Sequence, residues 1–475
     1  MLSLALPFIV ALSPQLGWRA GTPSPVLDGN PEYVELYWKS WENYYETVVE
    51  DIRPQILPMR FSAPGGQISF DKTIAHGFFA KWGYKAAPLE QTLRFLAGRM
   101  DSRGAAPFQI SAEDASGTGE ALGPPLLSLL VGQLYSLSAN KDFVREMYAA
   151  CARRNLYFSG AFLETLDNGP KKQPSKRWRV PRNMSCVPQS PESNAIGDTA
   201  EALSLMLVDT DTLSKLGRIA MIPNGETAFD KIAAQREAAL EKIWDAKVSW
   251  WRGADKDKEA FESVTLVPAW SLITGRLQDR SGAIAKSLGN PQMFGRWLQF
   301  PSYAASDDGF AANSGVLPLH QYLTVKAMMK SGQRYAAGMS VENMLSAYWR
   351  ASGGNNTLFA EYGPDTRTPA PFAAANSLDA GAVTIACLIE GLIGIDVDAD
   401  AAKVTWDVWR KDRHGIDGLR FGTNNVSLIA SERETRFALP EIKVSCEAPF
   451  TLRVLIGGKS FEKQFSAGEH NWKPG

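Results

Sequence analysis

Between Pro31 and Ile395 the chain alternates helix-length stretches of 3.6-residue periodicity with long loops, and past Ile395 the pattern changes. The first stretch follows Asn30-Pro31, a good N-cap with proline at the first helical position, and places Tyr33, Leu36, Tyr37, Trp41 and Tyr44 on one face. The spacing predicts further helices over residues 71–82, 89–100, 124–137, 142–157, 199–220, 228–245, 267–275, 317–329, 340–351 and 379–393. A helical hairpin cannot bury both of its faces alone. Six hairpins arranged as a ring bury an inner layer of helices inside an outer one and leave the loops at one end to line a pocket. An α-solenoid would also use helical hairpins, but it should show a fixed sequence period, and none is seen.

After Ile395 the chain reads as β-structure. Val426-Ser427-Leu428-Ile429, Glu441-Ile442-Lys443-Val444 and Thr451-Leu452-Arg453-Val454-Leu455-Ile456 alternate, and Gly457-Gly458 is a hairpin signal. The expected fold is therefore mainly α: an (α/α)6 toroid over residues 24–396, with a small β-sandwich over 397–475 packed on the barrel end in a structural role. Residues 1–23 form a separate N-terminal segment.

Composition narrows the function classes. Fifty Lys and Arg against 51 Asp and Glu leave a formal net charge of −1. No basic stripe points to nucleic acid, and no apolar stretch is long enough to point to a membrane span. Monomer and small homo-oligomer both stay open. Cys151, Cys186, Cys387 and Cys446 never stand at Cys-x-x-Cys spacing, and His76, His320, His414 and His470 are scattered. No catalytic metal and no cofactor are expected. The 14 Trp, 13 Tyr and 22 Phe would fill a large core and supply faces that stack on sugar rings. The apolar run 2–12, broken by Pro7, and Trp18-Arg19-Ala20 after it read as a secretory leader. That reading implies a periplasmic or secreted protein. A mis-assigned start would make it cytoplasmic.

Particular segments carry a family resemblance. Gly29-Asn30-Pro31-Glu32-Tyr33-Val34-Glu35-Leu36-Tyr37-Trp38-Lys39-Ser40-Trp41, Ser69-Phe70-Asp71-Lys72-Thr73, Leu358-Phe359-Ala360-Glu361-Tyr362-Gly363-Pro364-Asp365 and Asp379-Ala380-Gly381-Ala382 with Leu388-Ile389-Glu390-Gly391-Leu392 stand in the expected order. Together they resemble bacterial six-hairpin glycosidases related to glycoside hydrolase family 63, mannosylglycerate hydrolase-like and trehalase-like enzymes. The resemblance implies an (α/α)6 barrel, an oligo- or polysaccharide substrate, attack at chain ends, and hydrolysis with inversion. Inversion needs two carboxyl groups, one to protonate the leaving oxygen and one to activate a water. Glu361 matches the family's base. The family's acid falls where Cys186-Val187-Pro188-Gln189-Ser190-Pro191-Glu192 stands, so Pro188 takes its place and cannot donate a proton. Asn313-Ser314-Gly315-Val316-Leu317-Pro318 likewise replaces the family's Trp-Arg-Gly-Pro segment.

Glu192 in the same loop and Asp71 in the Phe-Asp loop are the replacement acids, ahead of Asp307 and Asp308. An Asp at 71 could equally belong to a helix N-cap. Trp82, Glu120, Trp178, Gln189, Asp307, Asp308, His320, Tyr362 and Arg367 are the candidate sugar contacts, most of them on loop position alone. Two other classes stay open. A carbohydrate-binding barrel without catalysis would account for Pro188. A polysaccharide lyase would use a His or Tyr base, for which His320-Gln321-Tyr322 or His76 would have to serve.

Overall fold

The computed structural model describes residues 17–46, 48–50, 59–61, 67–86, 89–111, 116–166, 175–179, 181–186, 197–255, 257, 259–308, 310, 315–366 and 368–475. Six helices pack consecutively into a closed ring: α2 (Phe70–Ala80), α4 (Leu127–Ser138), α6 (Ala200–Ile219), the 3-10 helix Val267–Thr274, α9 (Pro318–Lys330) and α11 (Leu378–Cys387), which packs back on α2. Six more surround them: α1 (Pro31–Glu46), α3 (Leu89–Gly98), α5 (Lys141–Phe162), α7 (Gly225–Lys242), α8 (Gln278–Gly289) and α10 (Arg334–Ala351). The sequence explains which helix goes where. α11 is buried from Ala380 to Cys387, and α9 from His320 to Met329, as a helix packed on all sides must be. Outer α7 buries only Gly225, Ala233, Arg236 and Leu240 and turns most of its other charges to solvent. Close approach inside the ring needs small residues: a Cβ on Gly77 of α2 would lie 2.4 Å from Leu130 of α4.

Helix α8 is absent from the sequence expectation. It buries only Ile284, Ser287 and Leu288, a stripe too sparse to show as periodicity. The α11 helix continues into a π-turn, Leu388–Ile393, and Gly394 at φ 91° releases the chain into the β-domain.

That domain is a sandwich. With β1 as Ser24–Leu27, β2 as Ile395–Asp398, β3 as Lys403–Asp407, β4 as His414–Phe421, β5 as Asn424–Ala430, β6 as Ile442–Cys446, β7 as Phe450–Ile456, β8 as Lys459–Phe465 and β9 as Gly468–Trp472, one sheet runs β1-β4-β5-β6-β9 and the other β2-β3-β7-β8. Strands β3 and β7 are parallel. Strand β1, grouped with the barrel in the sequence reading, pairs antiparallel with β4 from Ser24↔Asp417 to Leu27↔His414. Just before it, Trp18 is buried and stacks on Tyr45 of α1 at 4.5 Å.

The inner helices all begin at one end of the ring, the mouth, and finish at the other, the floor. The sandwich closes the floor: Ala399 N donates to Ser136 O and Gly422 N to Leu137 O at the end of α4. Just inside, a buried charge cluster spans the axis. Glu390 pairs with Lys81 at 2.6 Å and Lys326 at 2.5 Å, and Tyr322 Oη donates to Gln133 Oε1 at 2.9 Å. The two ammonium groups hold the Glu390 carboxyl below its ordinary pKa against the opposing effect of burial. Among the described residues, no helix is long and apolar enough to cross a membrane.

Candidate active site at the mouth of the toroid

Three inner helices start with one local pattern, a hydroxyl residue followed two positions later by a carboxylate: Ser69-Phe70-Asp71, Thr199-Ala200-Glu201 and Ser377-Leu378-Asp379. Each hydroxyl caps its helix by accepting the N–H three residues on, from Lys72, Ala202 and Ala380 respectively. The carboxylate then lies in the first turn, where the helix dipole favours negative charge. Each one fastens a neighbouring segment. Asp71 Oδ2 accepts Gly123 N at 2.9 Å. Glu201 accepts Ser185 Oγ at 2.7 Å and Cys186 N at 2.5 Å. Asp379 pairs with Lys72 Nζ and, at 2.8 Å, with His76 Nε2. Burial raises the Asp71 and Glu201 carboxyl pKa values above their ordinary ones, with their hydrogen bonds opposing. For Asp379 the two basic partners overcome burial and hold the pKa far below.

Glu361 is built differently. The segment 358–377 folds as an irregular hairpin: Ala360 N donates to Ala374 O, Ala370 N to Glu361 O at 3.0 Å, and Ser377 N to Leu358 O. Two bonds join Val316 and Tyr362, N to O at 2.9 and 3.1 Å. Extended backbone sends adjacent side chains to opposite faces. Tyr362 therefore goes into the core, stacked on Tyr348 at 4.2 Å, with its hydroxyl accepting Phe359 N at 3.0 Å. Tyr348 in turn donates to Gln321 Oε1 at 2.6 Å. Glu361 takes the other face and is half-buried over Gly315. A Cβ at Gly315 would stand 1.4 Å from Glu361 Oε1, so only glycine leaves the carboxylate its place. Among the described residues this carboxylate takes part in no ion pair or hydrogen bond.

Behind it, Ser302 N and Oγ both donate to Gly315 O at 3.3 Å, and Ser302 Oγ lies 3.4 Å from His320 Nδ1. His320 sits in the first turn of α9 against Trp270, and burial lowers its pKa to about 4, so the ring is neutral at neutral pH.

The other expected residues divide. Glu120 stays on the mouth side, exposed, and accepts Tyr157 Oη at 2.8 Å. Asp307 fixes the loop, accepting Val264 N at 2.8 Å, and Asp308 is exposed. Two aromatic expectations are corrected. Trp82 follows the far end of α2, about 16 Å along the helix from Asp71 at 1.5 Å per residue, and donates its indole N–H to Glu390 at the floor. Tyr362 has no exposed surface, so it orients Glu361 and cannot touch a sugar. The backbone of Trp178 pairs with Leu163 in a mouth-side hairpin. Pro188, Gln189, Glu192 and Arg367 lie outside the described residues. Glu201, Lys72 and Asp379 were not foreseen as site residues, while His76 was considered only as a lyase base and Gly315 only within the segment that replaces the family's Trp-Arg-Gly-Pro. The repeated hydroxyl-x-acid pattern was the available signal for Glu201 and Asp379.

No protein-family model and no curated protein matches the sequence. Solved structures do match in fold. The GH63 mannosylglycerate hydrolase from Thermus thermophilus in complex with glucose has a TM-score of 0.55 at 12% identity, over 74% of this chain and 99% of its own. The α-L-rhamnosidase from Aspergillus terreus gives 0.62 at 13%, over 95% of this chain and 50% of its own. A sialidase gives 0.66 at 11%, over 92% and 40%. This chain thus spans half or less of the latter two proteins. At these identities the likeness shows the fold alone, which is the (α/α)6 toroid with a β-domain that the sequence led us to expect.

Proposed function

We propose that the chain is a glycoside hydrolase that trims oligo- or polysaccharides from their ends by inversion, with Glu361 as general base. The observation that carries this reading is the Glu361 carboxylate. It is half-buried, it lacks a partner among the described residues, and it occupies the space that a Cβ at Gly315 would fill. A base must keep its lone pairs free for a water. The inner helices' N-termini gather around it and stabilise charge developing at the mouth.

For the acid, Asp71 and Glu192 remain the two assignments. Asp71 has the raised pKa that an acid needs, on α2 next to α11. Glu192 belongs to the stretch leading into α6, and the N-terminus of α6 stands across the ring from that of α11. Inversion needs two carboxyl groups separated by ~6.5–9.5 Å with a water between them, and because Glu192 belongs to the segment where the family's acid falls, we favour Glu192. Glu120, the Asp307–Asp308 loop and Arg367 are proposed to contact the outer sugars. His320 acts as a neutral hydrogen-bonding wall. The apolar run 2–12 favours a periplasmic or secreted site of action, but Trp18 and Arg19, packed on Tyr45 and paired with Glu42, belong to the folded domain and not to a leader.

The test is a hydrolysis screen over plant, algal and microbial oligosaccharides, with product anomers followed by NMR. Release of a sugar of inverted configuration, abolished in Glu361→Gln with saccharide binding preserved, is the expected result. Retained configuration, or full turnover by the variant, removes Glu361 as base. Binding with no turnover makes the chain a carbohydrate-binding barrel.

A further inference from the structure

One residue near Glu361 carries two costs that folding does not explain. The turn Ala370-Pro371-Phe372-Ala373 is closed by Ala373 N donating to Ala370 O at 3.0 Å. It has proline at its second position and φ +67° at Phe372, its third. This is a type II turn, whose third position ordinarily belongs to Gly or Asn because a Cβ is strained there. The same phenylalanine is the most exposed large apolar side chain of the described residues, at 106% relative exposure, with no ring contact among them. A buried phenylalanine could offset such strain by packing, but this one offsets nothing. The turn also hangs directly on the base, since Ala370 N donates to Glu361 O. Another exposed ring, Phe108, stands at the start of α2, where its carbonyl accepts Phe70 N at 3.1 Å. Strain and exposure that persist together beside a reactive group are characteristic of ligand clamps.

We propose that Phe372 is an aromatic platform that stacks on a sugar ring of the substrate beyond the bond cleaved at Glu361, making the site selective for oligosaccharides over short glycosides. The proposal rests on the glycosidase reading for the position of that bond, but not for the binding itself. Phe372 is offered as a binding residue with no part in proton transfer. A pyranose presents an apolar C–H face of ring size, and a rigid phenylalanine held by the turn meets it with little entropy left to lose.

The experiment compares the full-length protein with Phe372→Gly and Phe372→Trp. It uses a printed array of oligosaccharides of two to eight sugars, steady-state kinetics on any that are hydrolysed, aryl monosaccharides as short comparators, and thermal melting. Phe372→Gly should raise Tm by about 1–2 °C as the turn relaxes. It should also weaken binding or raise KM about tenfold for chains of three or more sugars, while kcat and the aryl monosaccharides stay unchanged. Phe372→Trp should restore the affinity. Hydrolysis with unchanged KM in Phe372→Gly overturns the platform and leaves the hydrolase reading intact. Array binding without turnover, lost in Phe372→Gly, sinks the hydrolase reading and leaves the platform standing. Binding unaltered, with a dimer in sedimentation that the glycine variant dissolves, overturns the platform in favour of a contact between copies.

Discussion

Gly315→Ala is the sharpest perturbation of the proposed mechanism, because it adds one methyl group and touches one functional atom. The new Cβ would lie 1.4 Å from Glu361 Oε1, 2.2 Å from Cδ and 2.5 Å from Cγ. To regain ordinary contact near 3.5 Å, the carboxylate must retreat by about 2 Å. The backbone cannot follow easily, since Val316 beside Gly315 is bonded twice to Tyr362 and Tyr362 is stacked on Tyr348. The strain therefore falls on the Glu361 side chain. A misplacement of about 1 Å in a reacting group is enough for a ~100-fold loss of rate, so kcat should fall at least ~100-fold. Stability should change little, within the 1–3 kcal/mol usual for overpacking, because a half-exposed carboxylate can swing toward solvent. The assay is kcat and KM on the saccharide found by the screen, alongside a melting curve. If Gly315→Ala keeps kcat within threefold of the parent, the seat of Glu361 is not part of the chemistry and the assignment of the base fails.

Other perturbations probe the frame. Tyr362→Phe removes the acceptor for Phe359 N and should cost ~1–2 kcal/mol in unfolding free energy, with kcat falling because the Glu361 hairpin loosens; an unchanged melt would show that the hairpin does not depend on that bond. Glu390→Gln leaves Lys81 and Lys326 facing each other in the core and should destabilise by ~3–5 kcal/mol, seen as a large drop in the denaturation midpoint, whereas a shift under 1 kcal/mol would mean water reaches the cluster. Asp209 on α6 is fully buried, with Asn155 Nδ2 at 2.6 Å, and burial pushes its pKa up to about 6. Between its unfolded value near 4 and that folded value the native state holds the extra proton, so stability falls as pH rises across the window and levels off above it. Asp209→Asn should flatten that stretch of the stability–pH curve, and an unchanged slope would assign the titration to another group.

Much of the fold could be read from residue order, because it depends on periodicity and on where periodicity stops. The apolar faces of α1 and α2 and the alternation of β5, β6 and β7 each state their environment locally. Helix α8 escaped because its three buried residues leave no stripe. Strand β1 escaped because pairing with β4, nearly four hundred residues away, leaves no local mark. The site divides along the same line. Glu361 stood out through its motif, and Asp71 through the Phe-Asp loop, while the N-cap that Asp71 could equally have been is Ser69. Aromatic residues misled, since Trp82 and Tyr362 have the same composition signal whether they meet sugar or core, and only three-dimensional placement separates them.

The deeper obstacle is that the features supporting the role proposed for Glu361 are negative ones. They are a missing Cβ at Gly315 and, among the described residues, a missing ion or hydrogen-bond partner. Sequence shows which groups are present. Whether a carboxylate has been left unpaired depends on every segment that could have reached it, and here those segments are the starts of α2, α6, α9 and α11. Three of the four come with an anion or hydroxyl already committed: Asp71 to Gly123, Glu201 to Ser185 and Cys186, Asp379 to Lys72 and His76. By satisfying one another's loops, these carboxylates hold the mouth open without drawing Glu361 into the network. That division between carboxylates that brace and one kept free makes a distinct prediction. Asp379→Asn should lower Tm and loosen α2 against α11, yet leave the pH profile of kcat unmoved, whereas any change at Glu361 should alter the profile itself. A shifted profile in Asp379→Asn would place Asp379 in the proton-transfer machinery and end the distinction drawn here.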